Sequence, residues 1–397
     1  MIDVMKLSDD DYARRRFLTL AWQTAVAAAV SRVMPRVSSS ELFAQALAPA
    51  ERRIIRSMRP QDWETPVGLL DSWITPNDLF YVRCHFYTPT VDQATWTLAI
   101  DGEVGRPLTL GMADIRQMPR VTLPVTLECA GNGRAFFDPP VAGTQWQRGA
   151  IGNARWTGVR LSDVLKRAGL KASGRYLWLD GADRPLGTAP DFNRQLPIAK
   201  ALDQDTLLAY EMNGQPLPVA NGFPLRIIVP GWEGAYSVKW LTHIQVSDRE
   251  NDSFWVQTAY RYPKMNVAPG AVVDPKDMGP LTGLAVKSII TAPATGRAAL
   301  GQPIAVTGFA WAGEANVVKV DVSTDNGSTW MPATLGKEKA PYAWRQFQHS
   351  WKPVERGSFV VLSRATDDKG RVQPSVERWN PSGYLWNVID QVRVDVD

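Results

Sequence analysis

From Leu161 to Ala168 apolar residues recur at helical spacing, and Gly169 follows where such a helix stops. Most of the surrounding chain reads instead as short β-rich runs. Trp96-Thr97-Leu98-Ala99-Ile100 leads into an Asp101-Gly102 turn, and Val125-Thr126-Leu127 ends at a loop carrying Cys129. Residues 176–179 and 225–229 are further runs of this kind. This mixture lacks a regular alternation of strand and helix, so it predicts an α+β domain and argues against a doubly wound sheet. Residues 263–280 break the pattern with Pro, Gly and Asp and no periodicity. Beyond them the chain reads as all-β. Val317-Val318-Lys319-Val320-Asp321-Val322-Ser323 alternates, Asp325-Asn326-Gly327 signals a tight turn, and residues 359–362 and 392–394 add strands. Short, evenly spaced strands predict an immunoglobulin-like sandwich. The expected organisation is a first domain over residues 47–270, a linker over 271–283 and the sandwich over 284–397.

The first residues read as an address. Arg14-Arg15-Arg16-Phe17-Leu18-Thr19 holds a twin-arginine pair, and a modest apolar stretch over 17–30 follows it. That stretch is short for a membrane span. The later Ala44-Gln45-Ala46 offers small residues for cleavage, with Ala48 and Ala50 as competing positions. A twin-arginine export signal over residues 1–46 is expected, and with it a periplasmic location. An amphipathic N-terminal helix of the mature protein is the alternative.

At 397 residues, with 45% hydrophobic and 21% charged residues, the chain is globular and large enough for two cores. The net charge of +4 and the lack of a long Lys/Arg tract give no support to nucleic-acid binding. The overall sum still permits a local positive pocket for a small anion.

Chemistry concentrates in four segments of the first domain. Cys129, one of two cysteines, sits in Leu127-Glu128-Cys129-Ala130-Gly131-Asn132-Gly133-Arg134. A thiolate is a soft metal ligand, and a nearby cation favours it; an inert buried cysteine is the plainer account. Pairing with Cys84 would consume that thiolate. In Phe80-Tyr81-Val82-Arg83-Cys84-His85, an extended chain puts Arg83 and His85 on one face, where they could bind an oxyanion or form a solvated basic face. The third segment, Trp146 to Trp156, holds Arg148, Asn153 and Arg155. The fourth runs from Asn221-Gly222-Phe223-Pro224-Leu225-Arg226 to Ser237-Val238-Lys239-Trp240, with glycines that allow close backbone approach and two cations, but no GxxxxGK[ST].

Taken in order, these segments resemble the sulfite oxidase family of molybdenum enzymes. The resemblance also takes in Trp73-Ile74-Thr75-Pro76-Asn77, Ala154-Arg155-Trp156-Thr157-Gly158-Val159 and Leu208-Ala209-Tyr210-Glu211-Met212-Asn213-Gly214. It covers most of the chain after the signal, and the C-terminal sandwich is similar to the family's dimerisation domain.

The resemblance implies one molybdenum–molybdopterin per chain, with Cys129 as the protein's ligand to the metal. It implies pterin and phosphate contacts from Tyr81, Val82, Arg83, Cys84, His85, Asp183, Asn221, Arg226, Ser237, Val238 and Lys239. It makes Tyr260, Arg83 and Arg134 the active-site residues, with Trp146 and Arg148 as pocket walls. Asn221 stands where many members have His, and Ser382 where animal members place an anion-binding arginine. The implied reaction is oxidation of sulfite to sulfate, with electrons passed singly to an external, periplasmic cytochrome c. No Cys-x-x-Cys-His is present, so no c-type haem is expected in this chain. A haem b domain ahead of the pterin domain is not expected either, and Asp395-Val396-Asp397 is not a peroxisomal signal. A homodimer without a membrane span in the mature protein is expected.

Two other readings are carried forward. A sulfane dehydrogenase of thiosulfate oxidation would use the same scaffold. A periplasmic binding protein with an immunoglobulin-like module would hold no molybdenum. A methionine-sulfoxide reductase fits less well, because that branch typically lacks the second domain.

Overall fold

Two five-stranded β-sheets carry most of the first half of the protein, beside a three-stranded sheet of Ile54–Ser57, Asp62–Glu64 and Val82–Arg83. In one, Leu108–Gly111, Thr97–Gly102, Leu241–Ser247, Tyr176–Gly181 and Asn193–Pro197 lie side by side in that order, with Leu241–Ser247 parallel to Thr97–Gly102. In the other, Val121–Glu128, Ile151–Arg160 and Leu207–Met212 form an antiparallel path, and Arg226–Ile228 adds to Leu207–Met212. The computed structural model describes residues 52–294 and 296–397, so the expected export signal lies outside the described residues.

The helix predicted at Leu161–Ala168 forms at those bounds. Leu161, Val164, Leu165 and Ala168 are its buried face, and Gly169 ends it in the left-handed conformation at φ 71°. That face packs into a core with Leu98, Ile100, Leu177 and Ile244 from the first sheet. Burial of this kind contributes roughly 1.5–3 kcal/mol per large aliphatic side chain. A second core, with Phe80, Leu127, Trp146, Trp156 and Ile228, lies against the other sheet. The cofactor-type segments leave from the ends of strands that these cores fix in place.

The C-terminal half is a sandwich of a four-stranded and a five-stranded sheet. Val306, Val320, Phe347, Val361 and Val394 fill the space between them. Its expected elements appear as Val317–Ser323, Gly357–Asp367 and Asp390–Val396. The alternation read in Val317–Ser323 is interrupted, because the register slips between Val317 and Lys319 and leaves Val318 exposed. Asn326 and Gly327 take positive φ, 56° and 87°, as the turn requires. The turn-rich break is itself folded: Arg261–Pro263 pairs with Met278–Pro280 as a hairpin. The α+β domain followed by a β-sandwich is thus the architecture observed.

The two halves meet at Glu128, the residue before Cys129. Its buried carboxylate accepts hydrogen bonds from Lys287 Nζ at 2.9 Å, Trp311 Nε1 at 2.8 Å and Asn132 Nδ2 at 2.9 Å. Lys287 and Trp311 belong to sandwich strands, so one side chain ties the Cys129 loop to the second core.

Candidate active site

The strand Val121–Glu128 delivers Cys129 to the end of its sheet. The Cys129 amide donates to the Ala150 carbonyl at 2.9 Å, and the Asn132 amide closes a turn onto the Cys129 carbonyl at 2.8 Å. Asn132 Oδ1 accepts from the Ala150 amide at 3.1 Å, which locks the loop from its far side. The thiol is thereby presented to two adjoining cavities. Burial pushes it up to about 11, against the pull of the Arg83 guanidinium, the Gly131 amide and Arg134. Both cysteines are free, so Cys84 does not consume the thiol.

The inner cavity gathers every residue named above as a cofactor contact. Tyr81, Val82, Arg83, Cys84 and His85 enter from the segment around the short strand Val82–Arg83. Asp183 enters after Tyr176–Gly181, and Asn221 from the 3-10 turn Val219–Asn221. Arg226, Ser237, Val238 and Lys239 complete the wall. Arg226 donates to the Asn221 carbonyl at 2.9 Å and the Ser237 carbonyl at 2.7 Å, and its buried Nε has no partner. Burial lowers Arg226 to about 10, with Tyr81 and Cys84 opposing. Lys239 Nζ lies 3.0 Å from Cys84 Sγ and 2.9 Å from the Ala220 carbonyl; burial lowers its pKa and Cys84 opposes. Burial raises Asp183 to about 6 against Lys239. Buried cations without a full set of anionic partners are costly unless a bound anion completes them.

The outer cavity, about 260 Å³, shares Arg83, His85, Cys129 and Tyr260 with the inner one and adds Arg134, Thr144, Trp255, Ser382 and Tyr384. Tyr260 Oη and His85 Nε2 are 2.7 Å apart. The His85 ring stacks on Phe192 with centroids 3.9 Å apart. Burial, followed by Arg83, Lys239 and Arg194, lowers His85 well below its usual range, so the ring is neutral and can accept from the hydroxyl. Burial raises Tyr260 well above its usual range, with Tyr384 adding and Arg83 opposing. Tyr260 also has φ 52°, a strained backbone for a bulky residue. Its ring lies parallel to Tyr384, at 5.5 Å, and has Arg194 at 4.6 Å.

Arg134 is held in a glycine cradle. A Cβ at Gly131, Gly143 or Gly383 would come within 2.7 to 2.9 Å of its guanidinium group. The guanidinium donates to the Thr144 carbonyl at 3.2 Å and the Ser382 carbonyl at 3.3 Å, and it faces the Tyr384 ring at 5.2 Å. Ser382 turns its own hydroxyl to the Arg261 carbonyl at 3.0 Å.

Trp146 and Arg148, expected as pocket walls, line neither cavity. Trp146 is fully buried in the core behind the site, and Arg148 is drawn away by Asp390 at 3.0 Å. Sequence reasoning missed the Glu233–Arg194 pair, which lies 3.7 Å apart with side-chain exposures of 0% and 3%. Glu233 lines the inner cavity; burial raises it to about 7 against Arg194 and the Ala235 amide. Glu233 stands in the glycine-rich segment, and its charge amid buried neighbours was the available signal. Tyr384, remote in sequence, carried none.

Among the described residues no group of three or more His, Cys, Asp and Glu could hold a metal ion. Cys129 can therefore supply one bond to a metal whose other donors arrive with a bound group. The cations of the inner cavity suit the phosphate of such a group, and the lone thiol suits a soft or high-valent metal. The residues fit a molybdopterin.

Comparison with known proteins agrees with the geometry. The signature of an oxidoreductase molybdopterin binding domain matches residues 85–255, and that of a Mo-co oxidoreductase dimerisation domain matches 280–397. Mitochondrial sulfite oxidase of Rattus norvegicus is 37% identical over 385 residues, covering 92% of this chain and 69% of the relative. Sulfite oxidase of Gallus gallus is 38% identical over 351 residues, covering 83% and 75%. The crystal structure of the sulfane dehydrogenase SoxCD from Paracoccus pantotrophus superposes with a TM-score of 0.77 at 28% identity, covering 91% of this chain and 94% of that one. The fold and site define a molybdopterin-dependent oxidoreductase. The chain belongs to the sulfite oxidase family.

Proposed function

We propose that this protein oxidises sulfite to sulfate in the periplasm and passes the electrons singly to an external cytochrome c. The observation that carries this reading is the position of Cys129, with Arg83, His85 and Tyr260, at the junction of the two cavities. The inner cavity would hold the cofactor, with Cys129 Sγ available as the metal's protein ligand and Arg226 and Lys239 available to its phosphate. When bound, the cofactor supplies two-electron redox chemistry and oxygen transfer to sulfur.

The chain's own residues supply binding, orientation and proton handling. Arg83 and Arg134 hold the sulfite oxygens from the outer side; guanidinium groups are planar, permanently charged donors suited to oxyanions. Oxidation of sulfite with water to sulfate releases two electrons and two protons. Tyr260 Oη and His85 Nε2 give one proton a path away from the reacting sulfur. Phe192 and Trp255 pack against His85 and keep bulk water from that pair.

The export reading of residues 1–46 supports the periplasmic location, and the matched dimerisation signature supports a homodimer. A sulfane dehydrogenase activity is the second reading, supported by the likeness to SoxCD. Protein matured in a host that makes the cofactor is analysed for molybdenum and assayed for sulfite-dependent cytochrome c reduction. Bound molybdenum with no sulfite turnover, but with turnover of carrier-bound sulfane sulfur, replaces the first reading with the second. Absence of molybdenum in such protein defeats both and leaves a binding protein.

A further inference from the structure

The outer cavity is larger and less cationic than sulfite needs. Its roughly 260 Å³ is far more room than one water needs, whereas sulfite has only four heavy atoms. Arg83 and Arg134 are the two arginines in its lining. Arg83 is paired with Asp62 at 3.2 Å, and it also donates to the Cys84 carbonyl. Arg134 gives one N–H from each terminal nitrogen to a backbone carbonyl, which leaves its charge without a carboxylate partner and its buried Nε without an acceptor. After these contacts the wall has about one positive charge in surplus, which suits a monoanion better than a dianion that must shed its water. The remaining wall is aromatic and apolar: Trp255, Tyr384, Ala142, Ala259 and Pro381. Trp255 and Tyr384 are half-buried; Tyr384 already stacks on Tyr260 and meets Arg134, so what the two rings offer an organic group is the apolar surface they still expose to the cavity.

We propose that this site also oxidises organic sulfinates, R–SO2⁻, to sulfonates. The inference rests on the sulfite-oxidising reading above. A sulfinate carries the same sulfur lone pair as sulfite, two oxygens for the two arginines, one negative charge and a carbon substituent for the aromatic wall. The step balances as R–SO2⁻ + H2O → R–SO3⁻ + 2H⁺ + 2e⁻. One S–O bond forms with an oxygen that comes from water, sulfur is oxidised by two electrons, and two one-electron acceptors are reduced.

The molybdenum-loaded enzyme is assayed with ferricyanide on sulfite, methanesulfinate and benzenesulfinate. Benzenesulfinate is expected to react with kcat/KM within about tenfold of the sulfite value, yielding one benzenesulfonate per two ferricyanides reduced. Turnover of sulfite with neither sulfinate oxidised overturns this inference and leaves the sulfite reading standing. Turnover of neither class by loaded enzyme defeats the sulfite reading and this one with it. Two variants test the recognition. Ser382→Arg adds a cation to the wall and should shift the sulfite-to-benzenesulfinate preference toward sulfite by at least ~10-fold; an unchanged ratio overturns the charge argument. Tyr384→Ala should raise KM for benzenesulfinate several-fold more than for methanesulfinate; an equal effect on both overturns the aromatic seat. Calorimetry gives a readout free of turnover: benzenesulfonate should bind the loaded enzyme and lose affinity in Tyr384→Ala.

Discussion

Replacing Lys287 with methionine isolates the link between the Cys129 loop and the sandwich. In the native protein the Lys287 and Glu128 side chains are 5% and 8% exposed and 2.9 Å apart. The substitution keeps most of the side chain's length and removes the ammonium. Glu128 retains Trp311 and Asn132 as donors but loses its counter-charge in a place water hardly reaches. Removing one partner of a buried ion pair costs about 3–5 kcal/mol, because the other charge is left uncompensated. The two remaining hydrogen bonds put the expected loss near the lower end, ~3 kcal/mol. Urea unfolding of the full chain, followed by tryptophan fluorescence, measures it. Molybdenum content should fall in parallel, since Glu128 also orients Asn132 and the Cys129 turn. Adding Glu128→Gln removes the stranded charge, so the double variant should recover part of the stability, with a coupling of ~1–3 kcal/mol. A loss below ~1 kcal/mol in the single variant, the range of a surface pair, refutes the reasoning, and so does strict additivity in the double variant.

Cys129→Ser should abolish turnover and sharply reduce bound molybdenum, as metal analysis of purified protein will read; a hydroxyl is a poor substitute for a soft thiolate. Gly131→Ala sets a methyl 2.7 Å from the Arg134 guanidinium, so the flexible side-chain end must leave its cradle. KM for sulfite should rise ~10-fold or more, as expected when a charged hydrogen bond to substrate is lost, with a smaller change in kcat. Glu233 gives a pH signature in cofactor-free protein. Its folded pKa, about 7, lies above the ordinary 4.5, so the native state binds the extra proton between those values. That contribution is fully present below about pH 4.5 and is lost as pH rises through about 7. Glu233→Gln should flatten this part of the stability profile; an unchanged slope in urea titrations at pH 5, 6 and 7 removes Glu233 as its source.

Local strings told most of the story where chemistry and backbone run together. The Cys129 loop, the Arg83 and His85 segment and the Arg226 to Lys239 stretch each place several site residues within a short run, and the structure brings them around one cavity. The helix at Leu161–Ala168 was equally legible, because its apolar spacing and terminal glycine agree. Features assembled from distant segments were not. Arg134 depends on Gly143 and Gly383 as well as Gly131, and no periodicity links them. Arg194 sits in Asn193–Pro197, where an alternating strand turns it inward toward Glu233. Arg148 shows the converse: the resemblance implied a pocket wall there, yet a carboxylate 242 positions later captured it.

The hook at Glu128 bears on when this protein can be charged with its metal. Its partners Lys287 and Trp311 are synthesised 159 and 183 positions later. A nascent chain that has emerged only as far as Cys129 therefore displays a thiol whose neighbouring carboxylate has nothing to grip. The grip on the carboxylate beside the ligand loop is complete only once the last third of the polypeptide has folded back upon it, which makes that closure a late event of biogenesis.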